Sequence, residues 1–380
     1  MTSLDTSIRQ LTEDPHQTLA AARELGPIVW VPVLDAWIVT DRSTAIAVMR
    51  DPERFTVNDP RFSTGQVLGP SMLSTDGDEH RRHRGPFVDW FASRSELAAL
   101  TDWMNVEAVR LVETIKGDGH GELRTAIAAP LAANTLARLL GLDPPGAEQL
   151  LIWYREIVAA VQAITAGEPV SDAATHAYGE LRDAILIATD AGRAASLTAA
   201  QQMLGDDDLA ANAAVILFGG IETSEGATAN AFWHLLTSPE LHAAVVDDPD
   251  LVPSFVEESL RLEPAATNVD RYATTDVTIG DTTIPAGSYV IVSLAAANRD
   301  PRAFPEPDTI RLDRPNPRQH TTFALGPHAC LGIHIARAQT IAAVDAVIRG
   351  LPDLALGRDA VGPQGLVFRK PIAVTATWSA

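Results

Sequence analysis

Apolar residues recur mostly at helical spacing along the chain, and strand-like alternation is confined to short segments. Residues 98–237 follow a nearly continuous helical pattern rich in alanine and leucine. Shorter helices are predicted over residues 16–24 and 43–50. The pattern therefore predicts a mainly α fold with a small β lobe.

Strand signals occur near both ends of the chain. Residues 28–33 and 36–39 are predicted as one pair of strands, and residues 277–279 and 289–293 as a second pair. Gly280-Asp281 is predicted as the turn between the later two strands. No internal repeat or linker interrupts the sequence, so residues 1–380 are predicted to form a single domain.

Charge and composition restrict the possible partners and location. The formal net charge of −20 argues against a general nucleic-acid or anionic-membrane binder. No apolar run reaches the roughly 18 residues that a bilayer crossing needs. The first 15 residues are polar and acidic, unlike a secretory signal. We therefore expect a cytoplasmic protein without membrane insertion, and one cysteine excludes an internal disulfide.

The single cysteine, Cys330, lies in a glycine-punctuated loop before a helix predicted over about residues 331–349. A thiolate at a helix N-terminus is stabilised by the helix dipole, which favours a nucleophile or a metal ligand. Gly326 and Gly332 permit a tight turn and the close approach of a flat, bulky partner. The alternative is a buried structural cysteine, because free cysteine is among the most buried residues.

The segment from Phe323 to Gly332 has the spacing Phe-x-x-Gly-x-x-x-Cys-x-Gly and resembles the haem-ligand loop of the cytochrome P-450 family. The resemblance implies that Cys330 is the proximal ligand of the haem iron. It also implies that Phe323 packs beside the sulfur and that His328 contacts a haem propionate. The family usually has glycine where this chain has Ala324, and we expect the methyl group to shift the loop only slightly.

Two adjacent glycines, Gly219 and Gly220, interrupt a strong helical pattern, where each costs about 1 kcal/mol relative to alanine. They indicate either close helix packing or a local distortion that opens space above a cofactor. The segment resembles the oxygen-binding helix of the family. On that resemblance, Glu222 and Thr223 form the acid–alcohol pair that relays protons during oxygen activation.

Glu258 and Arg261 stand three residues apart on a predicted helix, a spacing common on solvated helix faces. They resemble the structural Glu-x-x-Arg pair of the family, which locks the region of the cysteine loop. The resemblance leaves open whether Arg299 or Arg314 completes this network.

Haem propionates need cations or hydrogen-bond donors when they are buried. By resemblance, His80 and Arg84 on one helix, Arg271 ahead of the late strands, and His328 supply them. The residues that correspond to the substrate pocket are mainly aliphatic, small or uncharged polar, which fits an apolar substrate. They include Leu68, Met72, Ile216, Gly219, Thr267, Val269 and Leu366.

The resemblance covers nearly the whole chain and implies the cytochrome P-450 fold, a single triangular, helix-rich domain that binds haem b, iron protoporphyrin IX. It implies an oxidoreductase that inserts one oxygen atom from O2 into a small or medium apolar organic substrate. The chain carries no flavin or dinucleotide motif, so electrons are expected from a ferredoxin or flavodoxin with its reductase. Substrate identity, reaction outcome, the native redox partner and oligomeric state stay open.

Other interpretations use the same residues. A haem–thiolate sensor or carrier would need no Glu222-Thr223 relay, and peroxide-driven or non-oxygenating members of the fold often lack it. Isolated from its context, Cys330 could also be a nucleophile with His328 as base. A zinc site is conceivable, although the spacing is poor for one; its ligands would come from His80, His83, His328, Cys330 and His334.

The electron donor is expected to dock on basic residues on the cysteine side of the haem. An acidic ferredoxin would be steered there despite the acidic body of the protein. The proposed cluster comprises Arg81, Arg82, Arg318, His320 and Arg337.

Overall fold

The structure, a computed structural model, describes residues 2–142, 146–165 and 168–380, and helix dominates them. The helices are α1 Ile8–Glu13, α2 Pro15–Leu25, α3 Arg42–Met49, α4 Ser63–Leu68, α5 Gly77–Ala92, α6 Arg94–Ile115, α7 Ala129–Leu139, α8 Ala147–Thr165, α9 Asp172–Asp190, α10 Ala195–Gln201, α11 Asp206–Thr237, α12 Pro239–Asp247, α13 Val252–Leu262, α14 Leu294–Asn298 and α15 Ile333–Gly350. The strands are β1 Ile28–Val31, β2 Ala36–Val39, β3 Phe55–Thr56, β4 His120–Glu122, β5 Asn268–Ala273, β6 Val277–Ile279, β7 Thr282–Ile284, β8 Tyr289–Ser293, β9 Ala355–Leu356, β10 Val361–Gln364, β11 Lys370–Ala373 and β12 Thr375–Thr377.

The chain forms two compact units, which are described separately. The strand unit consists of Met1–Thr56, Trp103–Ala128 and Thr223–Ala380, and it contains the strands given above. The helical unit consists of Val57–Asp102 and Ala129–Glu222. Helix α11 contributes to both units, because the boundary falls within it. The single domain over residues 1–380 stays a prediction.

A five-stranded sheet in the order β1-β2-β8-β5-β3 organises the strand unit. Strands β2 and β8 run parallel, and the other neighbouring pairs are antiparallel. Val39, Val290 and Val292 are fully buried in the core beneath α3, where Met49 joins them. The sheet and α3 therefore form one core, and Ala324 and Leu325 of the cysteine loop pack against it.

The late strands differ from the predicted pairing. Gly280-Asp281 connects β6 to β7, whereas β8 pairs with β2 and β5 in the main sheet. The predicted hairpin between β6 and β8 was therefore wrong. Strand β5 was not predicted for two reasons. Asp270 and Arg271 interrupt its apolar alternation, and the β6–β7 hairpin separates it in sequence from its partner β8.

In the helical unit, Asn212 joins two segments to helix α11. The Asn212 Oδ1 atom accepts the backbone N–H of Met72 at 2.8 Å, and its Nδ2 atom lies 2.8 Å from His83 Nδ1 on α5. Asn212 and His83 are fully buried. A Cβ atom at Gly220 would lie 2.7 Å from a methyl carbon of Leu136, so this glycine permits the close packing of α7 on α11.

None of the helices in the described ranges combines the length and the apolar character that a bilayer crossing requires.

Candidate haem–thiolate site

The cysteine loop is closed by its own backbone. The Cys330 N–H donates to the carbonyl of Phe323 at 2.8 Å, and the Ala324 N–H donates to Thr321 at 2.8 Å. Cys330 lies three residues before α15, and its side chain is exposed. The structure therefore does not support a buried structural cysteine. It presents one accessible thiol at the N-terminus of an 18-residue helix.

The loop depends on left-handed backbone at two positions. Gly326 has φ +76°, and a Cβ atom there would collide with the carbonyl of Met49 at the end of α3. Ala324 has φ +52°, which costs an L-residue roughly 1–2 kcal/mol. Ala324 and Leu325 pack against the core cluster beneath the sheet. The alanine therefore occupies a left-handed position, which glycine adopts with less strain.

A buried ion network supports the segment before the loop. Arg261 donates from Nε to Glu258 Oε1 at 2.7 Å and from Nη2 to Oε2 at 3.0 Å. Arg314 Nε lies 2.8 Å from Glu258 Oε2, whereas Arg299 bonds to Asp308 and to the carbonyl of Leu262. Arg314, rather than Arg299, therefore completes the network.

Burial alone would raise the pKa of Glu258, but hydrogen bonds from Arg261 and Arg314 outweigh it and hold the pKa below its ordinary value. Both carboxylate oxygens are therefore acceptors in the native state. The Glu258 and Arg261 side chains are fully buried, so each is the other's main source of compensation.

Asn298 transmits this network to the loop. Its carbonyl accepts Arg261 Nη1 at 3.1 Å, and its side-chain Oδ1 accepts the Thr321 N–H at 2.6 Å. Its Nδ2 donates to Thr322 Oγ1 at 2.8 Å, and that hydroxyl donates to the carbonyl of Leu260 at 2.8 Å. The two threonines precede Phe323, so the start of the cysteine loop is fixed from α13 and α14.

The residues that are expected to contact the haem propionates belong partly to the strand unit and partly to the helical unit. Arg271 lies in β5 of the strand unit, buried, with Nη1 donating to the carbonyl of Asp270 at 2.7 Å. His328 is the last residue of a 3-10 turn that begins at Gly326, and His328 itself is half-buried. His80 and Arg84 lie one turn apart on α5 of the helical unit, where His80 is buried and Arg84 is half-buried.

Helix α11 is continuous through Gly219 and Gly220. Close packing explains Gly220. Gly219 is exposed, and a Cβ atom placed on it would meet no atom within 4 Å beyond the backbone of its own helix and its chain neighbours. Thr223 follows Gly219 by four residues and therefore shares its face of the helix.

The Glu222 carboxylate accepts a hydrogen bond from the Tyr154 hydroxyl on α8 at 3.2 Å. Tyr154 is buried. Sequence reasoning missed this residue, because nothing in the pattern of α8 distinguishes a tyrosine that contacts an acid from one that fills a core.

The predicted pocket residues are placed in two groups. In the strand unit, Thr267 Oγ1 donates to the carbonyl of Leu366 at 2.6 Å, and Val269 lies in β5. In the helical unit, the Leu68 carbonyl accepts the Tyr178 hydroxyl at 3.3 Å, and Met72 bonds to Asn212. Ile216 lies one turn after Asn212 on α11.

The zinc alternative finds no support in the described part of the chain, where no three His, Cys, Asp or Glu side chains gather around a possible ion. His83 is engaged by Asn212 and lies 3.2 Å from Glu79.

Three sequence relations decide the family. The family model described as Cytochrome P450 matches residues 180–350. Mycinamicin IV hydroxylase/epoxidase of Micromonospora griseorubida is 32% identical over 361 residues, which cover 90% of each chain. Cytochrome P450 monooxygenase PikC of Streptomyces venezuelae is 32% identical and covers 93% of this chain and 87% of its own. The chain belongs to the cytochrome P450 family.

Solved structures confirm the fold of this cytochrome P450. CalO2 has a TM-score of 0.89 at 25% identity and covers 100% of this chain and 99% of its own. P450BioI, solved with an acyl carrier protein, has a TM-score of 0.88 at 24% identity over 98% of this chain and 100% of its own. The predicted mainly α cytochrome P-450 fold with a small β lobe is confirmed.

The protein is accordingly a haem–thiolate monooxygenase with haem b as its cofactor. The residues of the strand unit fit that group. Cys330 offers one accessible thiol, and no described atom lies within 4 Å of a Cβ atom placed on Gly332 beside it. Arg271 supplies a buried cation suited to a carboxylate.

Proposed function

We propose that this monooxygenase binds its haem iron through Cys330 and inserts one oxygen atom from O2 into a small or medium apolar organic substrate. The observation that carries the proposal is the exposed, sole thiol in a loop that is fixed by its own backbone and by Asn298. When bound, haem supplies the redox chemistry that activates oxygen. The residues of the chain hold the group and manage protons.

Arg271, His328, His80 and Arg84 are the proposed partners of the propionates, because each offers an N–H donor to a carboxylate. Burial of Arg271 strengthens its interaction with such an anion, since little water competes for the guanidinium. The roles of His80 and Arg84 rest on the family resemblance of α5.

Glu222 and Thr223 are the proposed proton relay. In this relay the Glu222 carboxyl group, held by the Tyr154 hydroxyl, passes a proton to the Thr223 hydroxyl, which donates its own proton onward. The open space beside Gly219, one turn earlier on the Thr223 face, leaves room for oxygen and part of a substrate. Because ordered hydroxyl groups carry the protons, the site can exclude bulk water.

Electrons are proposed to come from a ferredoxin or flavodoxin with its reductase. The predicted docking cluster needs revision, because His320 is buried and Arg337 is paired with a buried carboxylate. Arg81 and Arg318 are exposed. Product formation with a ferredoxin, its reductase and NADPH, compared with hydrogen peroxide alone, distinguishes this supply from a peroxide-driven reaction. The cytoplasmic location stays a prediction.

A spectrum of the reduced protein under carbon monoxide tests the proposed ligand. Wild type should show the long-wavelength Soret band of thiolate-ligated haem, and Cys330→His should lose it. Retention of the band in Cys330→His, or purified wild type that holds zinc and no haem, would contradict the proposal. Ala329→Ser in the same loop is a matched control that should keep the band.

Substrate class is tested by shifts of the Soret band on titration. The relatives carry names such as Mycinamicin IV hydroxylase/epoxidase, Vitamin D(3) 25-hydroxylase and Nocardicin C N-oxygenase, so their named substrates differ widely. We propose an apolar substrate with a few hydrogen-bonding groups, and mycinamicin IV and vitamin D3 are suitable first probes beside fatty acids and simple aromatics. A response only to charged, polar compounds would contradict this class.

A further inference from the structure

Glu257 is a second buried carboxylate on α13, next to Glu258 but outside the Glu258–Arg261–Arg314 network. Its oxygens contact two groups near the cysteine loop. Arg337 Nη2 on α15 donates to Glu257 Oε2 at 3.1 Å, and His320 Nε2 lies 3.0 Å from the same oxygen. The Glu257 side chain is 6% exposed. A carboxylate so deeply buried requires a nearby positive charge.

His320 does not supply that charge. The Thr322 N–H donates to His320 Nδ1 at 3.3 Å, so Nδ1 is an acceptor and the ring proton lies on Nε2, where it donates to Glu257. Burial lowers the pKa of His320 and keeps the ring neutral. Arg318 is exposed, and its Nε atom lies 3.7 Å from Glu257. Arg337 is therefore the main counter-charge of Glu257.

Arg337 also contacts the aromatic residue of the cysteine loop. Its guanidinium carbon lies 4.9 Å from the centroid of the Phe323 ring, within the range of a cation–π interaction. The His320 ring lies 5.7 Å from the same ring. The carbonyl of Phe323 accepts the Cys330 N–H. One residue thus connects the Glu257–Arg337 pair to the backbone of the proposed ligand.

We propose that Glu257 and Arg337 form a charge pair in which each charge cancels the effect of the other on the reduction potential of the haem held by Cys330. Glu257 is a positioning residue that acts through Arg337, whose charge it compensates beside Phe323. The proposal rests on the proposed role of Cys330 as the iron ligand. Reduction adds one electron to the haem, and a nearby positive charge stabilises the reduced state while a negative charge destabilises it. Intact, the pair is electrically balanced.

Removing the charge of Glu257 should therefore raise the reduction potential, and removing the charge of Arg337 should lower it. Glu257→Gln keeps the shape of the side chain and leaves Arg337 uncompensated, so the equilibrium constant for one-electron reduction should rise about threefold to tenfold. Arg337→Gln should lower it by a similar factor. These changes correspond to about 28 to 59 mV for a one-electron couple. The Glu257→Gln, Arg337→Gln double variant should lie within twofold of wild type.

The measurement is a spectroelectrochemical titration of the holoenzyme without substrate. A matched control is Asp345→Asn, which alters charge by the same amount in an exposed pair with Arg349 on α15 and should leave the potential unchanged. Arg337→Lys keeps the charge and loses the planar contact, and it should stay within twofold of wild type.

A purely structural role predicts a different result, namely that both single variants shift the potential in the same direction as the loop loosens. That outcome, or an unchanged or lowered potential in Glu257→Gln, would overturn the proposal. If the single variants fail to bind haem, the double variant decides, because restored balance should restore binding and potential, and its failure would count against a charge pair. The carbon monoxide spectrum of wild type separates this test from the proposed function, since absence of the thiolate band would refute the ligand assignment itself.

Discussion

Two helices carry oppositely charged residues at the same spacing, yet the two pairs differ in almost everything that determines their energy. On α13, Glu258 and Arg261 are three residues apart, and both side chains are fully buried. On α5, Asp78 and Arg81 are three residues apart, with side chains 95% and 71% exposed. Water and salt compensate the exposed charges, whereas the buried charges have only each other and their protein partners.

The comparison teaches that spacing along a helix identifies a possible pair but not its role. Glu258 also binds Arg314, and Arg261 also binds Asn298, so the pair on α13 organises two further segments. The pair on α5 joins neighbouring turns of one helix. Burial, which depends on the whole fold, separates a structural centre from a solvated surface.

The largest effect that would sharpen this comparison is expected from Glu258→Gln. The substitution leaves Arg261 and Arg314 without their shared carboxylate, and breaking a buried pair in this way costs about 3–5 kcal/mol. Urea unfolding followed by circular dichroism, together with the yield of haem-loaded protein, measures the loss. Asp78→Asn is the matched control and should leave the unfolding midpoint unchanged. Equal stability of the two variants would refute the distinction.

The next effect is a dependence on pH that exposed pairs should not show. Burial tends to raise the pKa of Glu263, but its hydrogen bond with His16 and the charge of Arg369 outweigh burial and lower the pKa from 4.5 to about 2. Because the folded-state pKa is depressed, this stabilisation is fully present above pH 4.5 and is lost as the pH falls towards 2. It amounts to roughly 3 kcal/mol at about 1.4 kcal/mol per pKa unit.

Urea unfolding at successive pH values between 6 and 3 measures this dependence. Glu263→Gln should unfold more readily at pH 6 and lose less further stability on acidification than wild type. Asp308→Asn, which removes an exposed acid paired with Arg299, should retain the wild-type slope. An identical slope in Glu263→Gln would assign the acid sensitivity to other carboxylates.

The smallest effect concerns the backbone of the loop that the buried pair supports. Ala324→Gly relieves a left-handed alanine and should stabilise the protein by about 0.5–1 kcal/mol, after the greater unfolded-state entropy of glycine is deducted. Ala329→Gly in the same loop is the control, because Ala329 has φ −54° and should gain nothing from glycine. Thermal unfolding of both holoenzymes measures the difference. Destabilisation of Ala324→Gly would show that the methyl contact with the core outweighs the strain.

The sequence predicted the parts of the molecule that are encoded locally. The helical pattern of α11 and the loop around Cys330 could be interpreted from consecutive residues, and the structure has them in the expected elements. Strand β5 escaped prediction because Asp270 and Arg271 hide its alternation and its partner strand is distant in sequence. For the glycine pair, the sequence left close packing and a local distortion open, and the contact of Gly220 with Leu136 depends on how α7 packs on α11.

Contacts that join distant segments were beyond reach for a similar reason. The choice between Arg299 and Arg314, the bond from Tyr154 to Glu222, and the burial of His320 each depend on which helices face one another. His320 was expected on a basic surface. Its residue type did not indicate that it would be buried in contact with a carboxylate of α13. The haem-ligand and propionate roles stay predictions that the spectra and titrations above test.

Because the chain has a single exposed cysteine, a thiol reagent can be used to measure how much of the protein carries its cofactor. With one cysteine in 380 residues, the chain offers one thiol to a thiol reagent, and with Cys330 as the proposed iron ligand it does so only while no haem is bound. A titration with such a reagent therefore reads the fraction of chains that lack haem. The same sulfur is also the one site at which two unloaded chains can be cross-linked by oxidation, so preparations poor in haem should accumulate covalent dimers that a reducing agent dissolves.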